Sequence, residues 1–362
     1  MQYNVIGLMS GSSLDGLDIA YIRFEETAGK WQFEILESTC FPYSEEWKLK
    51  LAGLTGLPAK DYLLLHTAYG QYLGNCVNKF LDEKNLDYRV QLISSHGHTA
   101  FHFPSQHMTA QIGDGASIAA VTGIRTITDL RSVDVALGGQ GAPIVPIGEK
   151  LLFPEYDLFL NIGGIANLSA NGETFIGFDV CPANRVLDLL AAGTGKGFDE
   201  DGAMASAGNV DGNLLEQLNA FDYYRLPYPK SLSNEFGLRE IFPVILKAKL
   251  SLPDALRTYV QHIVVQVSES LFKLKKELSG KEELRLLITG GGAHNRFLTN
   301  KLKEAVSASG IECVIPPANL VNYKEALVIA LMGALRWRED INVMHSVTGA
   351  TKDSSNGALW SV

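Results

Sequence analysis

The sequence predicts an α/β protein built from two copies of one kind of domain, and three observations carry that expectation. Both halves open with strand, glycine-rich turn, strand, turn, strand: residues 4–9, 10–16, 17–24 and 31–38 in the first, residues 158–161, 162–166, 167–170 and 174–179 in the second. Short apolar runs at 92–95, 125–128 and 284–289 alternate with amphipathic stretches, as buried strands alternate with helices. Residues 137–143, Leu-Gly-Gly-Gln-Gly-Ala-Pro, put three glycines and a proline into seven positions and divide the chain.

The remaining elements follow in order. A helix is expected over 61–83, with Leu64, Ala68, Tyr72, Cys76 and Phe80 stepping along one face. Residues 92–95 form a buried strand that ends in Ser-His-Gly-His, 115–122 a short helix, and 125–128 another buried strand. A helix over 144–153 starts with Pro143 near its first turn. Asn171-Gly172 is a hairpin turn. Ser251 caps a long helix over 252–278, and further helices run over 296–307 and 324–338. The tail from Met344, rich in Gly, Ser and Thr, reads as weakly structured. The expected domains are 1–142 with about 339–362, and 143–338.

Composition narrows the function. At 362 residues, with 46% hydrophobic and 20% charged side chains, the chain has the profile of an ordinary globular protein with a substantial core. A net charge of −9 argues against nucleic acid and anionic membranes as partners. Cys40, Cys76, Cys181 and Cys313 are far apart, which suits free thiols in a reducing compartment. The start has no basic segment of a signal peptide, and no apolar run approaches the roughly 18 residues of a membrane span. A cytoplasmic location is expected.

Three glycine clusters, each directly after an apolar strand, point to phosphate. In the first, Gly11, Ser12, Ser13, Leu14, Asp15 and Gly16 make a hairpin tip whose backbone N–H groups can approach an anion. Asp15 inside such a cradle calls for a cation between carboxylate and phosphate, so Mg2+ with Asp15 as a metal-side residue is expected. The second cluster is the turn at 162–166, and the third, Gly290, Gly291 and Gly292, leaves room for a flat group such as adenosine. None fits the P-loop or the dinucleotide fingerprint. Asp179 ends a strand before a helix, where a carboxylate serves as a general base, a metal ligand or a helix cap. His96, His98 and His102 lie in one polar stretch without a nearby cysteine, which favours a loop gripping sugar hydroxyls over zinc. Arg131, flanked by Asp129 and Asp134, is either an ion-pair partner or a carboxylate clamp. Glu325 either favours a helix N-terminus or reaches a cleft.

The strings GLMSGSSLDGLD, SSHGHTAFH, QIGDG, TDLRSVDVALGGQGAPIVP, LNIGGIANLS, GFDVCPAN, FDEDGAMASAG, LITGGGAHN and NYKEALVIALMGAL, in this order, resemble the anhydro-N-acetylmuramic acid kinase family across nearly the whole chain. The resemblance implies two RNase-H-like (actin-like ATPase) domains around a central cleft for ATP, Mg2+ and 1,6-anhydro-N-acetylmuramic acid. It implies water opening the 1,6-anhydro bridge at C1 while O6 takes the γ-phosphate, in cell-wall recycling. It matches Asp179 to the water-activating base, and Gly11 through Asp18 to the ATP-phosphate loop. Asn161, Gly163, Gly164 and Asn167 match the second phosphate loop, and Gly290–Gly292 the nucleotide turn. Arg131, Glu325, His96, Thr99 and His102 match sugar-side positions, and a homodimer is implied. Where the family often reads Asp-Thr-Gly-Pro this chain has Asp179-Val180-Cys181-Pro182, and His98 stands where Gln is frequent. The competing readings are a same-fold kinase for another sugar and an ATP-driven conformational switch.

Overall fold

β1 (Gln2–Ser10), β2 (Gly16–Thr27) and β3 (Lys30–Pro42) form an antiparallel meander in the computed structural model, which describes residues 1–11, 14–228, 230–233, 235–278 and 281–362. β4 (Leu92–Ser95) joins the free side of β1 in parallel, and β7 (Thr126–Thr128) joins β4 in parallel. Between them, β5 (His98–Phe103) and β6 (Met108–Ile112) make a separate hairpin. β1 is buried on both faces, so it reads as a nearly continuous apolar run, whereas the edge strand β3 is mostly half-exposed. The helix Ala59–Lys84 covers one face, where Tyr69, Leu73, Val77 and Phe80 meet Ile6, Leu8, Leu17 and Ile19.

The second unit repeats the plan. β8 (Leu158–Ile162), β9 (Ile165–Asn171) and β10 (Phe175–Pro182) form the antiparallel meander. β11 (Leu284–Thr289) and β12 (Ile311–Val314) extend it in parallel. The strand orders β3-β2-β1-β4-β7 and β10-β9-β8-β11-β12 correspond one to one, the arrangement implied by a pair of RNase-H-like domains. Here the core helix is Leu252–Glu277, capped by Ser251, whose Tyr259, Ile263 and Val267 pack with Leu158, Leu160 and Leu286. Among the described residues no helix is long and apolar enough to cross a membrane.

The unit boundaries fall at 153/154 and 322/323, so the first unit comprises Met1–Phe153 with Tyr323–Val362 and the second Pro154–Asn322. The sequence reading puts them near 142/143 and 338/339, and packing explains the difference. Helix Pro146–Leu152 belongs to the first unit: Glu149 pairs with Lys324 at 2.6 Å, and Phe153 packs edge-on against Phe33 of β3, 5.3 Å between ring centres. The last long helix, Ala318–Trp337, begins earlier than the expected 324 and departs from helical geometry at Tyr323 (φ −116°, ψ 15°). Beyond that break it lies on the sheet so closely that a Cβ on Gly7 would stand 1.9 Å from the Ala326 carbonyl oxygen.

The tail corrects another expectation. Instead of being weakly structured, it carries helix His345–Thr348, a bridge between Val343 and Ser354, and strand Ala358–Trp360 paired antiparallel with β7. Asn342 and Asn356 are buried there with partners: Asn342 Nδ2 donates to the Met332 and Asn356 carbonyls at 3.0 and 2.8 Å, and Asn356 Nδ2 to Ser354 Oγ at 2.8 Å.

Candidate functional site

Within each unit taken by itself, the glycine turns and several candidate side chains lie at or just past the carboxyl ends of strands, where open α/β sheets bind ligands. In the second unit, strand register does the positioning. Asn161 of β8 faces Asn167 of β9, which faces Asp179 of β10, so the three side chains lie in one row on one face. Each is half-buried. A β-bulge between Asp179 and Cys181 ends the regular pairing just past the carboxylate. Leu232 N–H donates to Asp179 Oδ2 at 2.9 Å, and the Tyr223 hydroxyl donates to the Asp179 carbonyl at 2.7 Å. Burial pushes the Asp179 carboxyl above its usual range, against the pull of the Leu232 N–H.

The glycine turns sit beside this row. Gly163 and Gly164 follow β8, and their carbonyls accept from Asn184 N–H at 3.1 Å and Ala183 N–H at 2.8 Å, which joins the turn to the start of helix Asn184–Ala192. Gly290 follows β11 with φ +81°, and a Cβ there would meet Asn161 Oδ1 at 2.6 Å. Gly291 and Gly292 open the short helical turn Gly291–His294, and Asn184 Nδ2 donates to the Ile162 carbonyl at 3.1 Å beneath it. Asn161, Gly163, Gly164, Asn167, Asp179 and Gly290–Gly292 are thus brought together.

In the first unit the equivalent register row is Met9, Asp18 and Cys40. Asp18 is half-buried, and its carboxyl is pushed up to about 6 by burial first, against a hydrogen bond with Cys40, and further by the charges of Asp15 and Glu325. Asp15 is exposed at the hairpin tip, Gly16 donates to its Oδ1 at 3.1 Å, and Leu14 takes φ +57°. Ser12 and Ser13 lie outside the described residues. Among the described residues no group of three or more His, Cys, Asp or Glu side chains could hold a metal ion by itself. Asp15 and Asp18 nevertheless suit Mg2+, which is typically held by one or two carboxylates with phosphate oxygens and waters completing its shell, and their mutual repulsion is what a cation would relieve.

Arg131 follows β7 and is half-buried. Its Nε donates to His96 Nε2 at 2.9 Å and its Nη1 to the Gly141 carbonyl at 2.6 Å. Because guanidinium only donates, His96 Nε2 must accept; its Nδ1 then carries the proton and donates to the Gly97 carbonyl at 2.9 Å. Burial and the Arg131 charge push His96 down to about 3, so the ring is neutral. Burial lowers Arg131 to about 10, opposed by Glu325 and Asp134. Glu325 follows the break at Tyr323 and is raised by burial, against Lys324 and Arg131. His102 is exposed on β5, with Nδ1 3.1 Å from Thr109 Oγ1, and the Arg131 charge reaches it. Thr99 is exposed on β5 opposite Gln111, and no hydrogen bond among the described residues joins it to the cluster.

Some residues here escape sequence reasoning. Ser10 Oγ lies 3.0 Å from His98 Nδ1 and accepts from the Tyr43 hydroxyl at 2.8 Å, while Tyr43 and Tyr69 hydroxyls are 2.6 Å apart. This buried polar chain anchors the base of the first hairpin tip; the only hint of it in the sequence is tyrosine within an apolar pattern. A cavity of about 320 Å3 opens in the same unit, lined among others by His66, His96, Gln111, Asp114, Thr128 and Trp360.

Comparison with known proteins gives the family. The family model described as anhydro-N-acetylmuramic acid kinase matches residues 3–362. An anhydro-N-acetylmuramic acid kinase of Hydrogenovibrio crunogenus is 34% identical, with 98% of this chain and 97% of that protein covered. One of Aliivibrio fischeri is 32% identical, with 98% of each covered. A solved activator of 2-hydroxyisocaproyl-CoA dehydratase from Clostridium difficile with bound ADPNP superposes with TM-score 0.42 at 15% identity, over 91% of this chain and 94% of that one. Residues 3–362 match the family model and the two kinases cover nearly all of both chains, so the chain belongs to the anhydro-N-acetylmuramic acid kinase family.

Proposed function

We propose that this chain opens the 1,6-anhydro bridge of 1,6-anhydro-N-acetylmuramic acid with water and places the γ-phosphate of ATP on the freed O6, giving N-acetylmuramic acid 6-phosphate and ADP. The observation that carries this reading is the register row Asn161, Asn167 and Asp179, which sets one carboxylate of raised basicity beside a polar pair and two glycine turns.

Asp179 takes a proton from water, whose oxygen bonds to C1. The C1–O6 bond breaks with its electron pair on O6. That oxygen attacks the γ-phosphorus, and ADP leaves with the bridging oxygen. A carboxylate raised by burial is a stronger base than a solvated one, which suits it to this step. One base serves both steps, since the developing alkoxide is consumed by phosphorus rather than protonated.

Asn161, Gly163, Gly164 and Asn167 are assigned to phosphate, as is the hairpin tip from Gly11 to Gly16, and Gly290–Gly292 to the nucleoside. Mg2+ would be held by Asp15 and Asp18, and would neutralise phosphate charge. Arg131, Glu325, His96, Thr99 and His102 are assigned to the sugar. His96 has the cavity beside it for a pyranose, and Arg131 has donors suited to a carboxylate. The −9 charge supports the absence of a nucleic-acid partner. The family resemblance supports a homodimer, a cytoplasmic location and a place in cell-wall recycling.

The test is mass spectrometry of products made from 1,6-anhydro-N-acetylmuramic acid, ATP and Mg2+ in 18O-labelled water. A 6-phosphorylated sugar carrying 18O at C1 is expected. Phosphorylation of other sugars alone, or ATP hydrolysis without any sugar product, would overturn the assignment.

A further inference from the structure

We propose that Asp134 and Thr348 are positioning residues for Arg131, acting through the peptide of Gly141; this rests on the reading that Arg131 holds the sugar. Asp134, on helix Ser132–Ala136, is fully buried, and each of its carboxylate oxygens accepts a hydrogen bond. Its Oδ1 accepts from Thr348 Oγ1 at 2.7 Å, and its Oδ2 accepts from Gly141 N–H at 2.7 Å. The same glycine's carbonyl accepts from Arg131 Nη1 at 2.6 Å. One peptide unit therefore stands between a fixed carboxylate and the guanidinium.

The tail locks this relay from behind. Asp134 N–H donates to Asn356 Oδ1 at 2.9 Å, Gln140 N–H to the Thr348 carbonyl at 2.8 Å, and Thr351 N–H to the Leu137 carbonyl at 3.1 Å. The loop at 137–141 is thus sewn on both sides to residues more than two hundred positions later in the chain. Arg131 is anchored at Nε by His96 and at Nη1 by Gly141. Among the described residues no hydrogen bond engages Nη2, so that edge of the fork is available to a ligand oxygen. With two of its nitrogens pinned, the guanidinium plane is set before a ligand arrives, and the ordering cost of binding falls. The tail lends Ala358 and Trp360 to the cavity wall, and through Thr348 and Asn356 it also helps to aim Arg131.

The experiment is steady-state kinetics on Thr348→Val, Thr348→Ser, Arg131→Lys and the Thr348→Val/Arg131→Lys pair, varying sugar and ATP separately. Losing one buried hydrogen bond in the relay should lower kcat/KM for the sugar about tenfold, with the KM for ATP unchanged. Thr348→Ser restores the hydroxyl and the rate. In the Arg131→Lys background the valine should cost less than about twofold, because the oriented fork is already gone. Should Thr348→Val not fold, Asp134→Asn replaces it in the same cycle. Equal losses in both backgrounds, or a matching rise in the KM for ATP, overturn the relay while leaving Arg131 as a sugar residue. Full activity of Arg131→Lys overturns the sugar assignment itself, and the relay with it.

Discussion

Asp18 is a residue whose replacement should stabilise the protein while weakening its function. Its carboxyl is raised from 3.8 to about 6, chiefly by burial, with Asp15 and Glu325 adding to the effect and the Cys40 hydrogen bond opposing it. The folded state therefore binds this proton more tightly than the unfolded one. Stability from this source is complete below about pH 4, is lost as pH rises through about 6, and stays lost above. A shift of about two units corresponds to about 3 kcal/mol. Asp18→Asn, which never ionises, should then be more stable than the native chain by up to about 3 kcal/mol at pH 8, with no gain near pH 3. Urea unfolding of the ligand-free protein at pH 3, 6 and 8 measures the difference. Adding Mg2+ and ATP should raise the native midpoint more than the variant's, since one of the two carboxylates assigned to the cation is gone. A stability gain independent of pH, or a loss at pH 8, refutes the reasoning.

Three further outcomes are expected. Asp179→Asn keeps an oxygen for the Leu232 N–H and no longer ionises, so its urea midpoint at pH 8 should be no lower than that of the native chain while turnover falls by about 10²–10⁴. The native acid limb, where rate is lost as pH falls through the raised Asp179 value, should vanish in the variant's residual rate; activity within about tenfold of native removes Asp179 as the base. Gly290→Ala should cost about 1–3 kcal/mol, because φ is +81° and the new Cβ would stand 2.6 Å from Asn161 Oδ1. Gly291→Ala, whose nearest atom would be 3.5 Å away, should stay within about 0.5 kcal/mol, and similar urea midpoints for the two would contradict this. Glu149→Gln removes the charge opposite Lys324 in a pair only 3% and 4% exposed, and a loss of about 3–5 kcal/mol in urea unfolding is expected. A loss under about 1 kcal/mol would mean that the pair is dispensable.

The glycine turns and the strands before them could be read in the sequence because each signal is local: an apolar run followed by residues without a Cβ. Asp179 was legible for the same reason, as a carboxylate where a strand gives way to a helix. The parts that escaped are held together across long separations. Glu149 and Lys324 are 175 positions apart, and neither has a neighbour in sequence that marks it as buried. Asn342 and Asn356 look like loop residues, yet each is fully buried because backbone carbonyls and amides surround it. The Asp18 row became visible only through register, since pairing Met9 with Asp18 and Asp18 with Cys40 depends on how β1, β2 and β3 align. The histidine stretch reads as a loop because it is polar and short of apolar alternation; in the fold it is the β5–β6 hairpin with its approach, and His96 Nε2 accepts from Arg131 Nε.

The order of the units along the chain also sets an order in time. The second unit is one uninterrupted stretch, Pro154–Asn322, while the first needs residues from both sides of it. During synthesis, β1 and β4 emerge early but wait for the helix beyond Tyr323 and for strand Ala358–Trp360. At about 5–20 residues per second, the roughly two hundred intervening residues take about 10–40 s to appear. For that interval the half-made first sheet has an uncovered apolar face and an unpaired edge at β7, while the second unit has everything it needs to close. The nascent chain therefore finishes in the middle before it finishes at the start, and a chaperone acting on it would find its substrate in the first 153 residues.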